Sequence, residues 1–417
     1  MSSTSPASTK SGIEDSLRKI VGADHVRMEN TKLLVEPGND AELSDVLCVA
    51  NSQRLAVVPR GNSTKAGWAN PPERADIILS TLRLNRVLEH AWADLTVTVE
   101  AGCTVTELQK CLAQHGQRLA IDPLWPDTTT VGGLISSNDS GSYRLRFGSV
   151  RDLIIGITLA LPDGTLARSG GKVVKNVAGY DLPKLVTGAM GTLGVITRAV
   201  FRLHPLPQNR VTLTVACSHM EEAQRILLGI QDSKLAHVAM QVRYGSLSES
   251  ADIDILLEGT AAGIQAQLSL LNGLASPATF ENGSEQVWQA RQQLWAEPDA
   301  AIAKLSVLPA DISASLQVLR QLCDSNSSQW AAVIQATGLG AMRISSGSPE
   351  SVQKILSILR RSIEGDGGSL TLLRSMAQMP HFDAWGSVGD SLALMRAVKE
   401  RFDPNRTLNP GVFVGGI

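Results

Sequence analysis

From residue 32 onward the chain alternates between short apolar runs and stretches in which apolar residues recur three and four apart, the patterns of strands and helices. Residues 32–35 read as a short strand, and Asn39 with Glu42 forms a capping box for a helix to about Asn51. The apolar run 55–58 predicts a buried strand that ends in a turn-rich loop at Pro59. Residues 95–100 alternate as a strand does, and Thr104 with Glu107 repeats the capping box before a helix over 105–114. Strands at 154–161 and 165–169 flank Pro162-Asp163-Gly164, a hairpin by its turn composition. A long β run over 193–203 closes with His204-Pro205-Leu206-Pro207, whose two prolines predict a domain boundary.

Beyond that boundary the alternation is plainer. A strand over 210–216, a capped helix over 218–231 and a strand over 238–244 form one series. A second series has strands at 302–307, 341–345 and 369–374, with helices to about Leu322 and over 348–364. This pattern predicts an α+β sheet with helices on one face. An amphipathic helix at 392–402 leads into Asp403-Pro404-Asn405 and a Gly-rich tail, and no exact internal repeat is evident. The divisions are therefore a leader (1–27), a first domain (28–207), a second α+β domain (208–385) and a C-terminal helix with its tail (386–417).

Composition narrows the function classes. At 417 residues, with 43% hydrophobic and 19% charged positions, the chain can build a sizeable core and is not disordered. A net charge of −2, from 38 basic and 40 acidic side chains, argues against nucleic acid as the main partner. No apolar run approaches the roughly 20 residues of a membrane-spanning helix. The Ser- and Thr-rich start, up to Ser11, lacks a signal peptide's apolar stretch and reads as a disordered leader. Five cysteines (Cys48, Cys103, Cys111, Cys217, Cys323) contain no CxxC pair. That argues against a disulfide framework or an iron–sulfur cluster and for small buried hydrophobes in a reducing cytoplasm.

The chemistry concentrates in three loops, all rich in glycine or hydroxyl side chains. Pro59-Arg60-Gly61-Asn62-Ser63-Thr64-Lys65 follows a strand, and its small residues would let backbone amides converge on an anion. Leu124-Trp125-Pro126-Asp127-Thr128-Thr129-Thr130 runs into Val131-Gly132-Gly133 and then Ser136-Ser137-Asn138-Asp139-Ser140-Gly141. This second segment is too polar for a core strand and too long for a simple turn. Close packing of backbone on a flat or phosphorylated ligand explains both of its halves. In the third, Gly188-Ala189-Met190-Gly191-Thr192-Leu193-Gly194-Val195-Ile196, glycines lead into a strand. A nicotinamide-binding fingerprint places its glycines between strand and helix, so that class is disfavoured.

These loops, their order, and Lys175-Asn176-Val177-Ala178-Gly179-Tyr180-Asp181-Leu182 between them resemble the FAD-binding domain of the vanillyl-alcohol oxidase/p-cresol methylhydroxylase superfamily. The resemblance covers about residues 32–207, and Phe402-Asp403-Pro404 with Asn409-Pro410-Gly411 matches the same group. Within it the chain most resembles the FAD-binding E subunits of glycolate oxidase (glycolate dehydrogenase). Trp125-Pro126-Asp127 is one reason, and Gly188-Ala189-Met190-Gly191, where related D-lactate dehydrogenases usually carry Gly-Ser-Glu-Gly, is another. The fold implied is a two-subdomain FAD-binding domain, an α+β cap, and a C-terminal helix and tail returning to the flavin.

The resemblance implies that Pro59, Arg60, Gly61, Asn62, Ser63, Thr64 and Lys65 wrap the FAD pyrophosphate. Leu124, Asp127, Thr128, Thr130, Val131, Gly132, Gly133, Ser137, Asn138, Ser140 and Gly141 would line the pyrophosphate, ribose and one isoalloxazine edge. The stretch Met190–Ile196, with Gly191, Thr192, Gly194, Val195 and Ile196, would hold the adenine side, and Asn409 would approach the flavin ring. Some relatives attach the flavin through a His in the first loop. None stands at 59–65, so the FAD should be non-covalent. Hydroxy-acid-oxidising relatives carry a metal-binding His cluster in the cap. Here His219, His237 and His381 are scattered, so no metal site and no catalytic base are assigned.

The function implied is an oxidoreductase subunit of a glycolate dehydrogenase complex that makes glyoxylate. Its partners would be a larger homologous flavin subunit and an iron–sulfur subunit, working in the cytoplasm with scope for attachment to the inner face of the membrane through the complex. Two alternatives stand beside it. One is a self-sufficient FAD dehydrogenase of a hydroxy acid or alditol, with Arg243, Arg343, Arg374 and Tyr244 as carboxylate partners. The other is a non-catalytic assembly subunit.

Overall fold

The computed structural model describes residues 6–171, 180–248, 250–276, 278–345 and 348–417. The chain divides into two compact units. The first comprises Met1–Asp139, Ser149–Pro205 and Val388–Ile417, and the second comprises Ser140–Gly148 and Leu206–Ser387. The breaks at 205/206 and 387/388 lie within a few residues of the prolines and the helix start noted in the sequence. The nine residues Ser140–Gly148 belong to the second unit, which the pattern does not disclose.

The first unit contains two main sheets. Strands β1 (Val26–Glu29), β2 (Lys32–Val35), β3 (Val57–Arg60) and β4 (Ile77–Ser80) form a sheet ordered β1-β2-β4-β3, with β2 and β3 both parallel to β4. The helix Asp40–Ser52 makes the crossover from β2 to β3, as parallel strands require. Its buried Leu43, Val46 and Leu47 meet Val35, Val57, Ile77 and Leu79 in one core cluster. Leu17 and Val21 join that cluster from the helix Pro6–Val21. The leader is therefore helical from Pro6, contrary to the disorder expected, because Ile13, Leu17 and Val21 supply an apolar stripe that its Ser and Thr content obscures.

The other sheet is antiparallel, ordered β5-β6-β10-β8-β9. Its strands are β5 (Val87–Ala91), β6 (Thr96–Glu100), β8 (Ile154–Ala160), β9 (Leu166–Gly170) and β10 (Val195–Arg202). The two-residue strands β7 (Gln117–Arg118) and β11 (His204–Pro205) pair apart from it. Val97, Val99, Ile157, Leu159, Ala199 and Phe201 pack against the helices Val105–Ala113 and Val131–Ser137 to form its core.

In the second unit, strands β12 (Asn209–Cys217), β13 (Ala239–Gly245), β14 (Ala251–Gly259), β15 (Glu281–Asn282), β16 (Ala301–Ser306), β17 (Gln329–Gln335), β18 (Leu339–Ser345) and β19 (Ser369–Arg374) make an antiparallel sheet ordered β15-β12-β14-β13-β17-β18-β16-β19. One face is apolar, with Leu213, Val215, Ile253, Ile255, Met240 and Val242 buried. The amphipathic helices Met220–Gln231, Ala261–Ala275, Ile312–Ser325 and Pro349–Gly365 contact this sheet and bury their own apolar stripes. The opposite face carries a cross-strand polar row of Thr214, Asp254, Gln241 and Gln335. Asp254 accepts from the Thr214 hydroxyl (2.8 Å) and the Gln241 amide (3.0 Å), and Gln241 accepts from Ser142 (3.2 Å). Among the described residues no helix is long and apolar enough to cross a membrane.

Candidate functional site

A cleft in the first unit has three walls, built from four stretches far apart in sequence. Its void is about 970 Å3 including the part open to solvent. The first wall is the loop after β3, where Pro59, Arg60, Gly61, Asn62, Ser63, Thr64 and Lys65 all line the cleft. Arg60 gives its guanidinium to Glu29 on β1 through two hydrogen bonds (2.6 and 2.7 Å), which anchors the loop to the sheet. The second wall is the start of the helix Val131–Ser137. The Thr130 hydroxyl caps it by accepting the Gly133 N–H at 3.2 Å, and Thr130, Gly132, Gly133, Ser136 and Ser137 line the cleft. The third combines Met190, Gly191, Gly194, Val195 and Ile196 at the start of β10 with Asn409 and Val412 from the tail.

Hydrogen bonds join these walls. The Gly188 and Met190 N–H groups donate to the carbonyls of Ile135 and Ser136 (both 2.9 Å). The tail runs beside β3, with Val57 N–H donating to Thr407 (2.7 Å) and Asn409 N–H to Val57 (3.0 Å). The Asn409 amide then donates to the Met190 carbonyl at 2.7 Å. Behind the first loop, buried Lys65 donates to Thr129 Oγ1 (2.7 Å) and lies 3.6 Å from Asp139. Thr129 donates to the Leu124 carbonyl (2.7 Å), while Asp139 accepts the Leu124 N–H (2.8 Å), so one buried network ties the first loop to the second.

The wall is mostly backbone and small side chains. Ser63 (φ 61°), Met190 (φ 53°) and Asn409 (φ 43°) hold left-handed backbone that non-glycine residues avoid, at a cost of about 1–3 kcal/mol each. Asn409 Oδ1 is buried without a hydrogen-bond partner among the described residues, a polar atom waiting for a donor from outside the chain. Small residues, hydroxyls and this acceptor together fit a flat, phosphorylated dinucleotide such as FAD.

Several residues assigned to the cofactor stand elsewhere. Trp125 turns the chain with φ 50°, and its carbonyl takes the N–H groups of Thr128 and Thr129, which sends Asp127 and Thr128 out to solvent. Asp127 there accepts from Thr106 (2.7 Å), and the Thr128 carbonyl accepts from Asn62 (2.9 Å). Leu124 and Val131 are buried in the protein interior. Thr192 is also buried, its hydroxyl on the Ala189 carbonyl (2.7 Å). Asn138 ends the helix Val131–Ser137 as a left-handed cap. Ser140 and Gly141 lie in the second unit, where the Ser140 carbonyl accepts from Arg291 (2.8 Å) and Gln335 (3.2 Å). The sequence reading misses Val58, Ala66, Trp68, Pro72, Thr81, Ser136 and Val412 as lining residues. Of these only Ser136 sits inside the quoted loops. Residues 172–179, most of the Lys175–Leu182 motif, lie outside the described residues.

In the second unit the groups offered as carboxylate partners are engaged internally. Arg243 pairs with Asp254 (2.7 Å) and Asp252 (3.0 Å), and Arg343 with Glu297 (2.8 Å). Arg374 donates to the carbonyls of Ala300 (3.0 Å), Trp295 (3.3 Å) and Glu297, and the Tyr244 hydroxyl accepts from Arg320. His219 caps the helix Met220–Gln231 by accepting the Glu222 N–H (3.2 Å). Burial holds the His237 pKa below the ordinary imidazole value, with the nearby Arg146 charge adding to the effect. Burial also pushes the Cys103 thiol up to about 11 and those of Cys217 and Cys323 to about 12, so these three are inert packing residues.

Comparison with known proteins agrees with this cleft. Residues 31–170 match the FAD binding domain family, and residues 387–413 match the C-terminal domain of FAD linked oxidases. The glycolate oxidase subunit GlcD of Bacillus subtilis is 31% identical over 208 residues, which is 50% of this chain and 44% of that relative. The D-2-hydroxyglutarate dehydrogenase of Xanthomonas citri pv. viticola is 26% identical over 428 residues, 92% of this chain and 89% of that one. Among solved structures, p-cresol methylhydroxylase with substrate bound shares the fold with a TM-score of 0.77 at 14% identity, covering 98% of this chain and 97% of that one. The chain is an FAD-linked oxidoreductase, with an FAD binding domain at residues 31–170 and a match to the C-terminal domain of FAD linked oxidases at residues 387–413, and FAD is its cofactor.

Proposed function

We propose that this chain is the FAD-binding subunit of a glycolate dehydrogenase complex, in which a larger homologous flavin subunit oxidises glycolate to glyoxylate and an iron–sulfur subunit receives the electrons. FAD supplies electron-acceptor chemistry when bound, and this chain's residues bind and orient it. The observation that carries the reading is the contrast between the two units. The cleft of the first suits FAD, whereas Arg243, Arg343 and Arg374 of the second are already held by their own carboxylates and carbonyls. Hydroxy-acid oxidation needs a carboxylate anchor and a proton acceptor near the α-carbon. The sequence likeness to a glycolate oxidase subunit supports glycolate as the substrate of the complex.

A second reading, a self-sufficient 2-hydroxy-acid dehydrogenase, is favoured by the nearly full-length match to a D-2-hydroxyglutarate dehydrogenase. One assay separates the two. The FAD-loaded chain is offered glycolate, D-lactate and D-2-hydroxyglutarate in turn with an artificial electron acceptor, alone and with the candidate partner subunits. The expected result is glycolate turnover only with partners. Steady turnover of any of the three by the chain alone replaces the first reading with the second. The absence of His at 59–65 further supports non-covalent flavin, so acid precipitation should leave the flavin in the supernatant. Flavin retained in the pellet would show a covalent bond.

A further inference from the structure

Lys399, in the last turn of the helix Ser391–Phe402, is buried and does not line the cleft. Its Nζ donates to the carbonyl of Thr192 (2.8 Å), to Asp403 Oδ2 (2.6 Å) and to the carbonyl of Leu408 (2.9 Å), which uses all three ammonium protons. Asp403, fully buried, also accepts the N–H groups of Thr407 and Leu408 (both 2.8 Å). One ion pair therefore fixes the helix end, the turn of the tail and the glycine loop. Both carbonyls held by Lys399 adjoin cleft residues. Thr192 follows Gly191, and Leu408 precedes Asn409, whose amide reaches Met190. Taking two charges out of water offsets most of their mutual attraction, so the main product of such a pair is geometry.

We propose that the Lys399–Asp403 pair is a positioning latch for the cofactor, holding Asn409 and the Met190–Gly191 turn at the spacing FAD requires and thereby setting how long FAD stays bound. This rests on the reading of the cleft as the FAD site. The latch acts through Asn409, the tail residue that carries the unpartnered buried oxygen in the cleft wall.

The test is a fluorescence titration of the flavin-stripped full chain with FAD, together with the rate of FAD release. The proteins compared are wild type, Asn409→Ala, the double variant Lys399→Met/Asp403→Leu, and the triple variant. Removing both charges avoids stranding either one in the core. The double variant should weaken FAD binding about ten-fold or more, chiefly through faster release, and the triple variant should be no weaker than the worse of its parents. Wild-type affinity and release rate in the double variant overturn the latch, as do penalties that multiply in the triple variant. A wild-type chain that takes up no FAD overturns the cofactor reading beneath it, a distinct failure. Hydrogen exchange on the wild type gives a reading independent of any variant's folding. The amides of Thr407 and Leu408 should gain protection when FAD binds, and unchanged protection also overturns the latch.

Discussion

A Cβ at Gly132 would lie 3.0 Å from the Cβ of Ala101 and 3.2 Å from its carbonyl oxygen, whereas one at Gly133 would meet only the Thr130 hydroxyl, at 3.1 Å. Both glycines line the cleft, yet Gly132 is needed for packing the helix on Ala101, just after β6, and Gly133 for leaving the cleft open. Gly133→Leu should therefore yield a folded protein with an unchanged melting temperature that no longer binds FAD. Gly132→Leu should lose about 1–3 kcal/mol of folding stability, measurable by urea unfolding, because it overpacks against Ala101. Full flavin occupancy in Gly133→Leu would show that the loop is only a turn. At this scale the sequence is informative where small residues cluster, because a backbone that must approach a ligand leaves a visible run of Gly, Ser and Thr. It is silent on Trp68, Pro72 and Val412, which reach the cleft only because the fold brings them there. It misplaces Asp127 and Thr128 because the left-handed turn at Trp125 cannot be read from composition.

Elements with strong local signals are legible at their ends. Asn39 Oδ1 accepts the N–H groups of Ala41 and Glu42 (both 3.0 Å), and Glu42 accepts the Gly38 N–H (2.7 Å), close to the capping box read from the sequence. Asn39→Ala should destabilise the chain by about 1 kcal/mol in urea unfolding while leaving FAD affinity unchanged, since the cap lies outside the cleft. A loss of FAD binding in that variant would mean that the cleft senses the helix Asp40–Ser52. Elements without such signals are hidden. The helix Val131–Ser137 opens with two glycines that argue for a loop, and it forms because the Thr130 cap and buried Val131, Leu134 and Ile135 outweigh their propensity. The strand Ala251–Gly259 and the helix Ala261–Ala275 also go unassigned in the sequence pattern, and their identity comes from pairing with β12 and β13 and packing on that sheet.

At the scale of the whole molecule, each unit holds a half-buried histidine whose pKa is held down chiefly by desolvation, His204 in the first and His237 in the second. The sign follows from proton counting. Below the ordinary imidazole value of about 6.5 the unfolded chain takes up protons that the folded chain still refuses, so stability falls as pH drops through that value toward the lowered folded pKa. Melting temperatures measured at about pH 7.5 and about pH 5.5 should show the acid loss, and His237→Gln should lose less than wild type. Equal losses in the two proteins would remove His237 as a cause. The transfer of Ser140–Gly148 to the second unit leaves no mark in the sequence pattern, because it depends on hydrogen bonds made by Ser140 and Ser142. The position of Asn409 and Val412 in the cleft wall has a consequence for biosynthesis. On the ribosome, the loops at 59–65 and 131–137 emerge long before the tail that completes their cleft, so a nascent chain arrested before Thr407 should take up no flavin. Yellow colour would then certify that translation had passed the last wall of the site, and flavin loading becomes a checkpoint that partly made chains cannot pass.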